Sequence, residues 1–390
     1  MPPSHNNPGP GPHTAPPKVG FWTCFALVVG NMVGAGVYLL PSSLAAIGPI
    51  SVLGWVLTGL GGMSLAYVFA GLARARPAEG GPYAYTRMGL GDFTGFLVAW
   101  GYWISVWVGN AAISIAFVGY LTPLLPGAFG TQTATAVLAI SAIWILTAVN
   151  LRGIQAAGRL QIVTTALKVI PLIAVGTLGL LYIDLGNLTP VNPSGRPAVS
   201  AVTASAALAL WALLGLETAT VPADNVADPQ RTIPKATMLG TGFAAVFYLL
   251  STVAIMGVIP SATLAESSAP YADAAAAMWG STARMLVSVG AAIAGFGVLN
   301  GWILISAQIP YAAARDGLFP ARFLAMSKRG VPVFGLLLSS VLTTALVATN
   351  FTRGLVGLFT FSVLLATLTA LIPYAFTALA QLVLFARNPE

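Results

Sequence analysis

The chain has 390 residues, 57% hydrophobic and 7% charged, with a mean hydropathy of +0.85; soluble domains carry about 25% charge, so the composition excludes a soluble fold and indicates an integral membrane protein. A formal charge of +7 would suit a nucleic-acid binder, but the basic residues gather at the ends of apolar stretches instead. The two histidines, His5 and His13, and the one cysteine, Cys24, leave no intrachain disulfide, no cysteine-ligated cluster and no histidine metal site; Cys24 reads as a small buried apolar residue.

Residues 1–17 contain seven prolines with Gly, Asn and His. That composition cannot bury a core and lacks the basic-then-apolar pattern of a signal peptide, so it is expected to be a disordered cytoplasmic tail. Ten charge-poor stretches follow, at about 20–48, 51–74, 93–124, 133–150, 159–183, 200–222, 236–260, 283–312, 331–350 and 355–386. Each approaches the roughly 20 residues that carry a helix across a bilayer. They do not alternate as β-barrel strands would.

The first span holds "GNMVGAGVYLLP" at residues 30–41. Each glycine costs a helix about 1 kcal/mol relative to alanine, so Gly30, Gly34 and Gly36 predict an interruption there. Freed backbone groups in a membrane must face protein, ligand or water. Close helix packing through Gly30 and Gly34, a small-xxx-small pair, explains the same glycines. In the third span Trp103, Trp107 and Asn110 fall at i, i+4 and i+7 and share a face.

Lys168 lies midway along the fifth span as the one deeply placed basic residue. The sixth span, "ALWALLGLETATVP" (209–222), again sets glycine and a polar group in mid-span, with Pro222 at its end. Glu217 beside this second break is the one carboxylate well inside a span, where ionisable groups are costly and usually functional. A buried structural ion pair is the alternative for Glu217 and for Lys168. Trp211 precedes the second break, and Trp302 follows "LNG" in the eighth span. Most membrane tryptophans pack or anchor, but an indole face in mid-span can also hold a cationic side chain.

Interruptions in the first and sixth of ten spans point to an inverted repeat of five plus five helices, about 18–183 and 200–386, within a transporter domain 18–390. The substrate site is then expected between the breaks. Amides freed at half-helix N-termini favour a carboxylate, and freed carbonyls favour an ammonium. Both needs are met by an amino acid.

With a cytoplasmic N-terminus, thirteen basic residues fall on the inner side: Lys18, Arg74, Arg76, Arg87, Arg152, Arg159, Arg231, Lys235, Arg315, Arg322, Lys328, Arg329 and Arg387. Arg196, Arg284 and Arg353 fall outside. The bias predicts cytoplasmic placement of both termini.

"GNMVGAGVYLLP", "EGGPYAYTR", "LWALLGLETATVPADNVADPQRTIPKAT" and "NGWILISAQIPYAAARDGLFP" resemble the amino acid, polyamine and organocation (APC) transporters, closest to the bacterial basic amino acid and polyamine antiporters that include arginine/agmatine exchangers. The likeness runs from about Lys18 to Phe385. It implies the LeuT-like fold, in the bacterial cytoplasmic membrane, with exchange by alternating access and no cofactor. By position it implies substrate contacts at Asn31, at the backbone of Gly34, Ala35 and Gly36, and at Ser105, Asn110, Trp211, Leu214 and Trp302. Asn110 would meet the distal end of the substrate, Trp302 would stack on its side chain, and Trp211 would close an outer gate. Tyr102, Glu217 and Tyr374 would form an inner gate, with Glu217 sensing pH.

Ala35, Val106, Ala212 and Ala366 stand where the arginine exchanger has hydroxyl, thiol or thioether side chains, and Ile113 replaces a methionine. Lys168, in "GRLQIVTTALK", resembles the lysine of other branches whose ammonium stands in for a sodium ion. The expected substrate is a basic amino acid such as arginine or ornithine, exchanged for its decarboxylated amine. The alternative is sodium-independent exchange of a neutral amino acid, or proton-coupled uptake. Family members usually carry twelve helices, the last two helping to form a homodimer; ten are read here, with both repeats complete, which leaves the homodimer open.

An enzyme is poorly supported, since the spans offer no histidine, no cysteine pair and no second carboxylate to act with Glu217. No GxxxxGK[ST] loop suggests a primary pump. A channel or sensor on the same fold remains as a third class, separable by saturable flux that internal substrate stimulates.

Overall fold

The computed structural model describes residues 20–76, 81–121, 124, 131–152, 167–220 and 226–387. The tail at 1–17, the start of the fifth expected span and Pro222 lie outside the described residues. Among those residues the structure is helical, with an isolated bridge between Met326 and Pro332.

The first expected span is two helices, α1 (Phe21–Met32) and α2 (Ala35–Ala45). It is followed by α3 (Ser51–Ala75), a short α4 (Pro82–Leu90), α5 (Asp92–Leu121) and α6 (Gln132–Leu151). Two shorter apolar helices come next, α7 (Leu167–Tyr182) and α8 (Ala198–Ala212). The rest are α9 (Pro229–Val258), α10 (Ser261–Glu266), α11 (Pro270–Trp279), α12 (Ser281–Arg315), α13 (Val333–Asn350) and α14 (Leu355–Arg387). Taking α1 and α2 together, eight helical segments among the described residues are long and apolar enough to cross a membrane. Helices α7 and α8 are shorter apolar helices at the fifth and sixth expected spans, and the protein is an all-α polytopic membrane protein.

Helix α5 lies at the centre, against α14 on one side and α12 on the other, while α3 packs on α8 and α9, and α1 on α9. Glycines permit the close approaches: a Cβ on Gly54 would stand 2.5 Å from Ser205, and one on Gly240 would stand 2.7 Å from Val28. Large apolar side chains such as Leu60, Tyr67 and Leu368 stay exposed, as a lipid-facing surface requires. Cys24 is buried and free.

Hydrogen bonds brace the helices behind α5. Trp103 Nε1 donates to Ser339 Oγ (2.8 Å), Thr343 Oγ1 to the Trp107 carbonyl (2.9 Å), and Thr147 and Ser340 share a hydroxyl contact of 2.8 Å. The basic stretches expected on one side also meet. Arg87 of α4 pairs with Asp92 (2.7 Å) and with Asp316 just beyond α12 (2.9 Å), and Tyr83 donates to Asp316 (2.7 Å). Burial, and then the bond to the Asp316 carboxylate, push the Tyr83 phenol well above the usual tyrosine range. It remains a donor at any physiological pH.

Candidate functional site

Helix α1 ends at Met32 and α2 begins at Ala35, with Val33 and Gly34 extended between them. Gly34 is required by space as well as by flexibility, since a Cβ there would come within 2.9 Å of Val298 on α12. The last carbonyls of α1 and the first amides of α2 have no partner within their own helices. One of these carbonyls, that of Gly30, accepts a hydrogen bond from the Lys168 ammonium, which is fully buried on α7. A cation at a helix C-terminus also complements the helix dipole. The Tyr38 hydroxyl of α2 donates to the Lys168 carbonyl, so α7 is tied to both halves of the broken span.

The second interruption begins where α8 stops at Ala212. Leu213 and Leu214 close tight turns on Leu210 and Trp211, Gly215 takes φ +106°, and Thr218–Thr220 form one 3-10 turn. Only glycine adopts such a φ without strain. The two interruptions touch: a Cβ on Gly215 would lie 3.3 Å from the carbonyl carbon and the Cβ of Asn31.

Glu217 follows from this turn. It is wholly buried, and three donors converge on its carboxylate: the Tyr102 hydroxyl on Oε1 (2.7 Å), and the Tyr374 hydroxyl (2.9 Å) and Gly215 N–H (3.1 Å) on Oε2. The group so arranged accepts through both oxygens, the state in which a buried carboxylate is best compensated. Tyr102 comes from α5 and Tyr374 from α14, so one side chain joins the second interruption to two uninterrupted helices.

Beside this cluster lies a narrow cavity of about 40 Å³. Its wall holds Asn31, Met32, Gly34 and Val37 from the first broken span, Tyr102, Ser105, Val106, Gly109 and Ile113 from α5, Trp211, Ala212 and Leu214 from the second, and Val298 and Trp302 from α12. None of these residues carries a formal charge. The nearest carboxylate in hydrogen-bond sequence is Glu217, one step behind Tyr102. Trp211 is wedged edge-on against Phe359, with ring centroids 5.7 Å apart.

Of the residues singled out from the sequence, Asn31, Gly34, Ser105, Trp211, Leu214 and Trp302 are therefore gathered in one wall, and Tyr102, Glu217 and Tyr374 form one hydrogen-bonded group. The backbone of Ala35 and Gly36 forms the first turn of α2. Asn110 is buried next to Gly109 but outside the lining, and its Oδ1 has no hydrogen-bond partner among the described residues. Trp103 and Trp107 share a face of α5, but it is the bracing face. Trp103 bonds Ser339, and Trp107 packs between two apolar clusters.

The sequence reading missed Met32, Val37, Gly109 and Val298. Of these, Gly109 was detectable, because it completes an i, i+3, i+4, i+7, i+11 stripe with Tyr102, Ser105, Val106 and Ile113, which the sequence had already brought forward. Among the described residues no group of three or more His, Cys, Asp or Glu side chains gathers as a metal site would require.

An amino acid permease family model matches residues 19–390. The chain is 37% identical over 330 residues to the cadaverine/lysine antiporter of Escherichia coli K12, covering 84% of this chain and 74% of that one. It is 33% identical over 369 residues to the putrescine transporter PotE of Haemophilus influenzae, covering 94% and 84%. The Escherichia coli K12 PotE is 33% identical over 373 residues, again covering 94% and 84%. A family match over residues 19–390, with these transporters as relatives, makes this a transporter rather than an enzyme: the chain belongs to the amino acid permease family, within the APC superfamily of membrane transporters.

Proposed function

We propose that this protein exchanges a basic amino acid for a linear diamine by alternating access, with the substrate seated between the two helix interruptions. The observation that carries this reading is the contact of Gly215 with Asn31 beside a wall containing Trp211 and Trp302, backed by the Tyr102–Glu217 hydrogen bond. The α-carboxylate of an amino acid would lie at the first turn of α2, where unpaired amides and the positive end of the helix dipole favour an anion. Its side chain would run along α5 between the two indoles, and Tyr102 would transmit the arrival of positive charge to Glu217.

The wall favours an ammonium over a guanidinium at the far end. A guanidinium presents five donors and an ammonium three, and Val106, Ile113 and Ala212 supply no acceptor there. The named substrates of the relatives, lysine with cadaverine and putrescine, point the same way. Lysine and ornithine with their diamines are therefore preferred to arginine with agmatine. Lys168, hydrogen-bonded at the first interruption, would supply a fixed or switchable positive charge there, and transport would be independent of sodium. The positive-inside bias sets both termini in the cytoplasm, and the two broken spans head the two five-helix repeats.

A second reading rests on the same apolar wall: exchange of a neutral amino acid, with Val106, Ile113 and Ala212 enclosing its side chain. Counterflow in proteoliposomes separates the two. Labelled lysine, ornithine, arginine or alanine is offered outside vesicles loaded with cadaverine, putrescine, agmatine, alanine or buffer alone. Lysine or ornithine uptake driven only by internal diamine or diamino acid is the expected result. Alanine–alanine exchange without lysine uptake establishes the neutral carrier, and uptake into buffer-filled vesicles that internal substrate does not stimulate removes the antiport reading.

A further inference from the structure

Trp302 lines the cavity, yet the stretch of α12 that carries it is poorly suited to holding a ring in place. Gly290, Gly295, Gly297 and Gly301 fall within twelve residues of one helix, and glycine loosens a helix and concentrates bending. A device that fixes the rotation of α12 at this level is required if the indole is to present one face to a substrate.

The structure contains one. Asn300 lies two positions before Trp302, about 200° around a helix that turns about 100° per residue, and so faces directly away from the cavity. There it meets Asn150 in the last turn of α6. Asn150 Nδ2 donates to Asn300 Oδ1 at 3.0 Å, to the Asn300 carbonyl at 3.4 Å, and to its own Leu146 carbonyl at 2.9 Å. Asn150 is fully buried and Asn300 is 1% exposed. The bond to Leu146 fixes the Asn150 rotamer, which makes it a rigid post rather than a swinging side chain. Helix α6 is in turn held to α13 through Thr147 and Ser340. Inter-helix side-chain hydrogen bonds in membranes are modest but directional, so a two-point contact on both side chain and backbone of Asn300 suits alignment better than adhesion.

We propose that Asn150 and Asn300 are positioning residues for substrate recognition: their amide pair locks the rotation of α12 from behind and thereby sets the plane of the Trp302 indole in the cavity wall. Neither side chain touches the substrate. The inference rests on the reading of the Trp302 wall as the substrate site.

The test compares wild type with N150L/N300L, in which both amides are replaced together, and repeats the comparison in a Trp302→Leu background. Lysine uptake against internal cadaverine is measured in proteoliposomes, and the purified proteins are labelled with 5-fluorotryptophan for 19F NMR, the Trp302 signal being assigned by its loss in Trp302→Phe. The expected result is a KM for lysine raised about threefold or more, the scale of one such interaction, with kcat within about twofold. No further rise is expected in the Trp302→Leu background, and the Trp302 resonance should move in the unliganded protein. An unmoved resonance overturns the proposal, as does an unchanged KM or a KM penalty that multiplies with that of Trp302→Leu. A purely structural pair would lower thermal stability and leave these readouts alone. If wild type transports no lysine, the substrate reading fails while the 19F signal still decides the positioning role. Should the double variant not fold, N150S carries the same readouts.

Discussion

Gly215 lies against Asn31, its Cα close enough that an added Cβ would stand 3.3 Å from Asn31 backbone and side chain alike. Two features of one residue thus serve two ends, because the same φ of +106° that turns the chain also aims the Gly215 N–H at Glu217. Gly215→Ala should therefore cost about 1–3 kcal/mol in backbone strain and also part the two interruptions by a few tenths of an ångström. Thermal unfolding in detergent should show the stability loss, and exchange assays a higher KM. A variant with wild-type KM would mean that the contact between the interruptions does not shape the site.

How much of this was legible beforehand follows from what kind of physics each feature uses. The spans were readable because a bilayer demands long uncharged runs. The first interruption was readable from Gly30, Gly34 and Gly36, although the close contact of Gly34 with Val298 shows that the packing explanation also holds: the residue both breaks the helix and admits a neighbour. Glu217 stood out as a charge in an apolar span. Its donors Tyr102 and Tyr374 lie 115 and 157 residues away, and no local pattern connects them; the family resemblance alone pointed there. On α5 the shared face of Trp103, Trp107 and Asn110 is legible from spacing, but the cavity takes the neighbouring stripe of Tyr102, Ser105, Val106, Gly109 and Ile113, of which Gly109 carries no side chain to draw notice.

The three donors on Glu217 differ in what else they do. Tyr102 is also in the cavity wall, whereas Tyr374 is not. Each Tyr→Phe change removes one hydrogen bond to a buried charged group, a loss of about 1.5–3 kcal/mol, so both variants should unfold at lower temperature. Transport should separate them: Tyr102→Phe should raise the KM for lysine, and Tyr374→Phe should change kcat more than KM. Equal KM effects would place substrate contact and gate in one indivisible group.

Glu217→Gln keeps the shape of the side chain and replaces a group that can exchange a proton with one that cannot. If Glu217 senses pH, exchange by this variant should vary less than about twofold across the pH range in which the wild-type rate varies tenfold, with a maximal rate within about threefold of wild type. The rate–pH profile in symmetric-pH proteoliposomes checks this. An unchanged profile would assign the pH response elsewhere and leave Glu217 as a structural acceptor for its three donors.

Trp302 offers an indole face to the cavity, and attraction between a desolvated ammonium and such a face reaches about 1–2 kcal/mol. Trp302→Leu should therefore weaken lysine and cadaverine binding by about 5–30-fold, read as displacement of labelled lysine from purified protein. Alanine binding, where present, should change much less. A uniform loss across charged and neutral ligands would show that the ring acts by filling space.

Lys168 meets the Gly30 carbonyl with an ammonium at the end of α1, where a metal cation could otherwise coordinate unpaired carbonyls. If this ammonium stands in for a sodium ion, lysine–cadaverine exchange should proceed at the same rate in sodium and in choline buffers. Removing the ammonium leaves the Gly30 carbonyl buried without its partner, at a cost of about 1–3 kcal/mol, and Lys168→Met should lower both thermal stability and exchange. Sodium then becomes the discriminating reagent. If the ammonium acts only as the charge that holds the first interruption closed, Lys168→Ala, which vacates the space, should regain part of its stability or rate at high sodium, whereas Lys168→Met, which fills it, should not. Stimulation of the wild type by sodium would show instead that the cation site lies elsewhere and that Lys168 serves the tie between α1, α2 and α7 alone.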